Sequence, residues 1–254
     1  MTWDLGAGLD GRVVMVTGAG GGIGSATASA FIAAGAQVVA VDLDADRVRA
    51  AIGTDGVEPA LALSADLVRL DTHAALLEQA ASLGPVYALV HCAAVLRRRA
   101  DVREITEEDW DAQLDTNLKA SFFLCRSVAE SMRASGTAGR IVTFSSQGWW
   151  TGGFGGSVVY AASKGGIVSM TRGLARTYGP FGITVNTIAP GQAKTSMLLD
   201  DIQPEVLERM TAETPLGRIG EPGGIAGVAV FLASQHASFV SGATLNVSGG
   251  FLMY

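Results

Sequence analysis

Short apolar runs rich in β-branched residues alternate along the chain with longer segments in which apolar residues recur at helical spacing. The short runs predict seven strands, over residues 13–16, 37–41, 61–63, 88–90, 141–144, 184–188 and 244–247. The longer segments predict helices over residues 24–34, 71–83, 107–132, 157–178 and 223–233, with another from about residue 45. Continuously apolar strands separated by helices are typical of a parallel sheet covered on both faces.

This alternation predicts an α/β fold, a single doubly wound domain over residues 1–254 with a mostly parallel seven-stranded sheet and helices on both faces. No linker, low-complexity tract or internal repeat divides the sequence. Residues 192–216 lack a strand pattern but carry Met197, Leu198 and Met210 at roughly helical spacing. This segment indicates either a small helical substrate lobe or ordinary core helices.

One uncharged stretch, residues 13–41, is long enough to cross a bilayer. Glycines and polar residues interrupt it, and it divides into a strand, a glycine-rich turn, a helix and a second strand. A βαβ unit of a soluble protein explains this pattern better than a membrane helix. The N-terminus lacks the basic and apolar regions of a signal peptide, so we expect a cytoplasmic protein that does not bind membranes.

The composition adds constraints on partners. Hydrophobic residues make up 48% of the 254 residues and charged residues 17%, which allows a large core and argues against disorder. The net charge of −6 argues against a nucleic-acid partner. We interpret the basic cluster of Arg97, Arg98 and Arg99 as a solvated loop rather than a phosphate site. Cys92 and Cys125 lack Cys-x-x-Cys spacing and the histidines lack metal-ligand spacing, so we expect free thiols and no metal.

A glycine-rich run from Thr17 to Gly24 directly follows the first predicted strand and opens a helix. Glycine permits a tight turn and brings backbone N–H groups close to a pyrophosphate. Asp42 ends the next strand, where a carboxylate can accept hydrogen bonds from the adenosine ribose and repel a 2′-phosphate. No arginine replaces this acid or stands inside the loop, so NAD(H) is favoured over NADP(H). Asp42 can also cap the following helix, and Asp66, after the third strand, can contact adenine or cap a turn.

Tyr160 and Lys164 lie four residues apart on a predicted helix and therefore share one face. A nearby cation lowers the pKa of a phenol and so enables it to exchange a proton with an alcohol oxygen. The spacing alone is weak evidence, because it occurs by chance in many helices. Its position downstream of the glycine loop and Asp42 makes it a candidate catalytic pair.

With Asn117, the pair Ser145-Ser146 and Pro190-Gly191, these motifs resemble the short-chain dehydrogenase/reductase family in order and spacing. The resemblance extends from about residue 9 to residue 250. It implies a Rossmann fold and an oxidoreductase that transfers a hydride between NAD(H) and a secondary alcohol or ketone.

The resemblance implies four catalytic residues. Tyr160 would be the general acid/base, and Lys164 would lower its pKa and contact the nicotinamide ribose. Ser146 would hold and polarise the substrate oxygen, with the neighbouring Ser145 as the alternative. Asn117, at a mid-helix position that disfavours asparagine, would anchor a water that links Lys164 to solvent.

The resemblance also implies the residues that contact the cofactor. Thr195 would contact the nicotinamide carboxamide, and residues 188–191 would line the nicotinamide face. The implied set is Gly18, Gly21, Gly22, Ile23, Gly24, Asp42, Leu43, Asp66, Leu67, Cys92, Ala93, Tyr160, Lys164, Pro190, Gly191 and Thr195.

Two segments depart from the family pattern. The family's Asn-Asn-Ala-Gly after the fourth strand is here His91-Cys92-Ala93-Ala94, so Ala94 stands where the family has glycine. The segment from residue 146 to residue 160 is about one residue longer than usual and is rich in glycine. We expect its glycines to absorb the extra residue.

The predicted pocket wall combines two segments. Trp149, Trp150 and Phe154 follow the predicted catalytic serine, and Met197 and Leu198 lie in the lobe segment. Such walls suit an apolar or aromatic alcohol or ketone, but aromatic rings also stack on sugars, so a polyol is an alternative. The two tryptophans have a second interpretation, which is packing between subunits or against the lobe.

Two other functions stay open. An NADP-dependent 3-oxoacyl-carrier-protein ketoreductase shares the motifs, although Asp42 argues against NADP. A non-catalytic dinucleotide-sensing protein would need neither Tyr160 nor Lys164, and both are present. The family resemblance further implies a homotetramer built from the helices predicted over residues 107–132 and 157–178.

Overall fold

The seven predicted strands are all present in the computed structural model, which describes residues 4–53, 58–153, 155–200 and 202–254. They are β1 (Val13–Thr17), β2 (Gln37–Asp42), β3 (Leu61–Ser64), β4 (Val86–His91), β5 (Arg140–Phe144), β6 (Thr184–Pro190) and β7 (Thr244–Val247). Every neighbouring pair is parallel, and the order across the sheet is β3-β2-β1-β4-β5-β6-β7. Several strands extend one or two residues beyond the predicted bounds, toward the edge where they end.

The helices follow the strands as predicted, with two additions. They are α1 (Gly22–Ala33), α2 (Ala45–Ile52), α3 (Thr72–Ala81), α4 (Glu107–Leu114), α5 (Ala120–Ala134), α6 (Gly148–Thr151), α7 (Val158–Tyr178), α8 (Ser196–Leu199), α9 (Pro204–Glu213) and α10 (Pro222–Ala233). A π-helical turn, Asp115–Lys119, joins α4 to α5 where the sequence predicted one continuous helix. The short α6 was not predicted. In the described part of the chain, no helix has both the length and the apolarity needed to cross a membrane.

The two faces of the sheet bury separate hydrophobic clusters. On β1, Val14 and Val16 pack on the face that α1 and α10 cover, together with Phe31. Met15 points to the opposite face, which α5 and α7 cover, and packs in the same cluster as Leu124. Both faces are therefore buried, which explains why the strands are apolar throughout and confirms the doubly wound fold.

The segment predicted as a lobe, residues 192–216, contains α8 and α9. None of their residues is buried. The two helices thus lie over the end of the sheet rather than inside its core, which favours the lobe over the alternative of core helices.

His91, the last residue of β4, is a buried link between two strands and a helix. Its Nδ1 lies 2.7 Å from Oγ1 of Thr17 on β1, and its Nε2 lies 2.7 Å from Oγ of Ser121 on α5. Since the Ser121 hydroxyl donates to the carbonyl of Asn117 at 2.7 Å, it must accept from His91. The imidazole is therefore neutral, with its proton on Nε2, and burial lowers the pKa of His91 to about 3.

We predict that His91 makes the protein sensitive to mild acid. The ordinary pKa of 6.5 falls to about 3 in the folded protein, so between these values the unfolded chain binds one proton more than the folded chain. Stability from this group is complete above pH 6.5 and is lost as the pH falls toward 3. Replacement by Asn should remove this dependence. Between pH 7.5 and pH 4.5 the free energy of unfolding should therefore fall by about 2–3 kcal/mol more in the wild-type protein than in His91→Asn.

Urea unfolding of both proteins at a series of pH values measures this difference. The carboxylates are the same in both chains, so their titration cancels when the two curves are subtracted. Near-ultraviolet circular dichroism at pH 8 checks that the variant is folded. If the free energy of unfolding changed with pH to the same extent in both proteins, the prediction would be contradicted.

Candidate active site

The carboxyl ends of β1, β4, β5 and β6 meet along one edge of the sheet and line a cavity of 1030 Å³. All sixteen residues of the implied cofactor set line this cavity, and so do Ser146, Met197 and Leu198, whereas Ile188 and Ala189 are buried and do not. The residues lie far apart in sequence, and the parallel sheet brings them together. A crevice outside the strand ends, where the strand order reverses, is the expected ligand site of a doubly wound fold.

The glycine turn after β1 is packed too closely for side chains. Gly18 has a φ of +68°, and a Cβ there would lie 2.7 Å from the backbone nitrogen of Ala93. A Cβ on Gly24 would collide with the carbonyl oxygen of Gly18. Glycine at these two positions lets β1, the start of α1 and the segment after β4 approach one another.

The start of α1 offers free backbone donors at the cavity. The N–H groups of Gly22, Ile23 and Gly24 lie in its first turn and donate to no backbone acceptor among the described residues. No side chain caps this end and its first turn holds no acidic residue. Free N–H groups and the positive end of the helix dipole suit an anion, so the residues present fit the pyrophosphate of a dinucleotide.

Asp42 is fixed at the glycine turn by two backbone donors. Its Oδ2 accepts from the backbone N–H of Gly20 at 2.9 Å and its Oδ1 from that of Leu43 at 2.8 Å. Arg47, on α2, donates from Nε to the carbonyl of Gly20 at 3.2 Å and lines the cavity beside the carboxylate. The sequence prediction considered arginines inside the loop or in place of Asp42, and so it missed one that reaches the loop from the next helix.

Asp66 and Cys92 also line the cavity. Oδ1 of Asp66 accepts from the backbone N–H of Val68 at 3.0 Å, so Asp66 both caps a turn and lines the cavity. Burial raises the pKa of the Cys92 thiol to about 12, and this thiol is therefore neutral. No described non-glycine residue has a positive φ, so Ala94 fits its loop without strain.

Ser146 and Tyr160 are neighbours at the cavity wall. The Ser146 hydroxyl lies close enough to the Tyr160 phenol to favour its ionised form, and Oγ of Ser146 accepts from the backbone N–H of Gly148 at 3.1 Å. Ser145 is buried and donates to the carbonyl of Lys164 at 2.8 Å. The structure thus pairs Ser146, and not Ser145, with the tyrosine.

The ionisation of the Tyr160/Lys164 pair differs from the sequence prediction. Nζ of Lys164 lies 5.5 Å from the centroid of the Tyr160 ring and donates to the carbonyl of Phe144 at 2.8 Å. Burial raises the pKa of Tyr160 to about 12, against the opposing effects of the nearby Ser146 hydroxyl and the Arg98 charge. Burial also lowers the pKa of Lys164 to about 8. Loss of hydration raises the pKa of the phenol by more than the Arg98 charge lowers it. The phenol is therefore neutral at neutral pH and holds a proton to donate.

Asn117 does not line the cavity but supports its wall from behind. It is fully buried in the π-helical turn, where its Oδ1 accepts from the backbone N–H of Val95 at 2.8 Å. Its Nδ2 donates to the Val95 carbonyl at 2.9 Å and to Oγ of Ser163 at 3.2 Å. The side chain is thus committed to positioning the backbone after β4. Its role as a water anchor stays a prediction.

The predicted pocket wall is only partly present. Met197 and Leu198, on α8, line the cavity, whereas Trp149 and Trp150 do not. The two tryptophan rings instead pack against Tyr254 of the same chain, at centroid distances of 5.1 and 5.5 Å. This corrects their assignment to the substrate pocket, because α6 turns both rings toward the C-terminus. Phe154 lies outside the described residues.

Two polar residues in the substrate half of the cavity were missed. Arg98 and Gln147 both line it, and Oε1 of Gln147 is buried without a hydrogen-bond partner among the described residues. The position of Gln147 next to Ser146 was an available signal. The sequence offered no reason to choose Arg98 over Arg97 or Arg99, because all three residues are arginines.

Known proteins resemble this chain over nearly its whole length. A family model described as enoyl-(acyl carrier protein) reductase matches residues 18–252. Galactitol 2-dehydrogenase (L-tagatose-forming) of Cereibacter sphaeroides is 36% identical over 255 residues, which cover 97% of this chain and 97% of that protein. The (3R)-3-hydroxyacyl-CoA dehydrogenase of Mus musculus is 36% identical over 257 residues, covering 96% of this chain and 98% of that protein.

A solved structure extends the likeness to three dimensions. An Agrobacterium tumefaciens protein described as a 2-deoxy-D-gluconate 3-dehydrogenase, with bound NADP, superposes with a TM-score of 0.87 at 36% identity, covering 98% of this chain and 99% of that chain. The named relatives are dehydrogenases, and they match this chain over nearly its whole length. The chain belongs to the short-chain dehydrogenase/reductase family of oxidoreductases.

Proposed function

We propose that the protein transfers a hydride between NAD(H) and a secondary alcohol or ketone. The observation that carries the proposal is that the Ser146 and Tyr160 hydroxyls lie near each other at the wall of the dinucleotide-sized cavity, with the buried Lys164 beside the tyrosine ring. Two neighbouring hydroxyl groups can converge on one substrate oxygen.

The protein side of the reduction follows from the ionisation states. A bound nicotinamide dinucleotide supplies the hydride that adds to the carbonyl carbon. Ser146 donates a hydrogen bond to the ketone oxygen, and the neutral Tyr160 transfers its phenolic proton to that oxygen as negative charge develops there. The Lys164 ammonium stabilises the phenolate that is left. In oxidation the same proton returns from the alcohol to the phenolate.

Four parts of the chain would hold the cofactor. The N–H groups at the start of α1 would bind the pyrophosphate, and Asp42 would accept from the adenosine ribose. Lys164 would contact the nicotinamide ribose. Thr195 packs against the glycine turn, where a Cβ on Gly22 would lie 2.9 Å from its Cγ2, and would contact the carboxamide.

Replacement of Tyr160 by Phe should abolish turnover while cofactor binding persists. The variant loses the proton donor but keeps the ring, so we expect kcat to fall by about 10²–10⁴-fold with little change in the Kd for NADH. Steady-state rates at the nicotinamide absorbance and NADH fluorescence titration measure the two quantities.

Tyr178→Phe is the matched control. Tyr178 lies on the same helix, α7, but donates to Oε1 of Glu130 at 3.0 Å, and it does not line the cavity. Its loss should leave kcat unchanged. Full activity of Tyr160→Phe would refute the proposed role of the tyrosine.

Cofactor choice should depend on Asp42. Its two oxygens are held by backbone donors, so the carboxylate cannot swing away from a 2′-phosphate. Opposed like charges cost several kcal/mol, so kcat/KM should favour NADH over NADPH by roughly 10²-fold, and Asp42→Asn should lower this ratio at least about tenfold.

Asp66→Asn provides the control. Adenine is common to both cofactors, so this substitution should change kcat/KM equally with NADH and with NADPH. Arg47 is the opposing charge at this site, and one solved relative of this chain contains NADP. Equal use of NADH and NADPH by the wild-type protein would show that Arg47 offsets Asp42 and would refute the preference.

A 3-oxoacyl thioester reductase is the second candidate. The hydroxyacyl-CoA dehydrogenase relative and the description of the family model favour it. Acetoacetyl-CoA, tested beside free ketones with both cofactors, separates the two functions. A kcat/KM for the thioester far above that of every free ketone and sugar would select this candidate.

We also propose a cytoplasmic homotetramer, as the family implies. Trp110 on α4 and Phe122 on α5 are 50% and 39% exposed, which supports burial of these helices against another copy. Phe122 also borders a second, mostly apolar cavity with Leu118 and Met170. Sedimentation equilibrium should give four times the 26.1 kDa chain mass, and Phe122→Glu should give smaller species.

A further inference from the structure

Three polar residues on one helical face bind alternate residues of the segment that follows β4. Asn117 holds both backbone groups of Val95, and Oε1 of Gln113 accepts from the backbone N–H of Arg97 at 3.1 Å. Asp109 receives two hydrogen bonds from Arg99, at 2.7 and 2.8 Å. The three helical residues are spaced by four, and all three are buried.

This clamp fixes the segment beside the cavity. Residues 95, 97 and 99 are tied to the helix by their backbone or side chain. Ala94, Val95, Leu96 and Arg98 line the cavity. Arg97 and Arg99 do not line it. All three arginines are exposed, as expected for a solvated loop, and Arg98 also lines the cavity.

The second side of the segment is fixed by the glycine-rich loop before α7. A Cβ on Gly156 would collide with the carbonyl oxygen of Arg99, so this loop packs directly on the arginine backbone. The side chain of Asp109 is 6% exposed, and hydrogen bonding from Arg99 lowers the pKa of Asp109 to about 2. Arg99 is thus held in a strong pair, and Arg98 is held beside the cavity by its neighbours.

Arg98 has no counter-charge within the described chain. No carboxylate there pairs with it, although its charge acts on the Tyr160 phenol. The other charged pair in the substrate half, Arg209 and Glu213, lies on α9 with its charged atoms 3.9 Å apart and is balanced within itself. An uncompensated cation therefore lies beside the catalytic tyrosine of a protein whose net charge is −6.

We propose that the substrate is an anionic secondary alcohol or ketone whose carboxylate or phosphate pairs with Arg98 while its reacting oxygen lies between Ser146 and Tyr160. The guanidinium group presents paired donors that match the oxygens of either anion. Gln147 lines the same wall, and among the described residues its buried Oε1 has no hydrogen-bond partner. This inference rests on the proposed oxidoreductase function and specifies its substrate class.

The first test compares substrates that differ only in charge. Levulinate and acetoacetate are each measured against their primary amides, a ketogluconate against fructose, and fructose 6-phosphate against fructose, all with NADH. At least one anion should exceed its neutral partner in kcat/KM by about 10- to 100-fold, as expected for hydrogen bonds to a charged group. The carboxylate and phosphate arms identify which anion is preferred.

The second test assigns the preference to Arg98. Arg98→Gln should lower kcat/KM about 10- to 100-fold for the preferred anion and less than about threefold for its neutral partner. Arg97→Gln is the matched control, since it removes the same charge from the adjacent residue outside the cavity. Its kinetics should equal those of wild type at the same ionic strength.

The outcomes separate this inference from the proposed function. Turnover of neutral ketones without any preference for anions would overturn the inference and leave the oxidoreductase function intact. Equal losses on both members of a pair in Arg98→Gln would show a general role at Tyr160 and would also overturn it. If no compound is turned over, the proposed function fails. Calorimetric titration of the same anions into the NADH-saturated wild-type and Arg98→Gln proteins then decides the inference, which is overturned by equal or absent binding.

Discussion

All seven strands run in one direction, so the backbone groups that end β1, β4, β5 and β6 meet along a single edge of the sheet. The segments at that edge can pack closely only because the turn after β1 consists of glycines. A side chain on Gly18 or Gly24 would occupy the space of neighbouring backbone atoms. The close approach leaves the first N–H groups of α1 facing the cavity. The site for an anionic cofactor is therefore a consequence of strand direction and of two missing Cβ atoms.

The same constraint explains what the sequence could predict. Strand runs, the glycine turn, Asp42 and Tyr160 are local patterns, and a parallel sheet necessarily places strand ends side by side. The positions of Trp149 and Trp150 were not predictable in this way. Their contact partner, Tyr254, is about a hundred residues away in sequence, and nothing near the tryptophans indicates that the C-terminus returns to cover them.

The acid/base pair shows a second limit of sequence patterns. Four-residue spacing predicts that Lys164 and Tyr160 share a helical face, and they do. It does not reveal how much water the fold removes from the phenol, and that desolvation decides the sign of the pKa shift. Lys164 alone is therefore not sufficient to stabilise a charged phenolate. Arg98 and the bound cofactor and substrate must contribute to its stabilisation.

The clamp on residues 95–99 connects the fold to substrate choice. The sequence shows polar residues at intervals of four: Asp109, Gln113 and Asn117. It does not show which segment these side chains bind, and their role depends on that segment. Although all three arginines are exposed, their positions differ: Arg98 lines the cavity, Arg99 pairs with Asp109, and Arg97 lies outside the cavity. The hydrogen bonds from Asn117 to Val95 thus help to hold at the cavity the segment that carries Arg98, whose charge acts on the Tyr160 phenol.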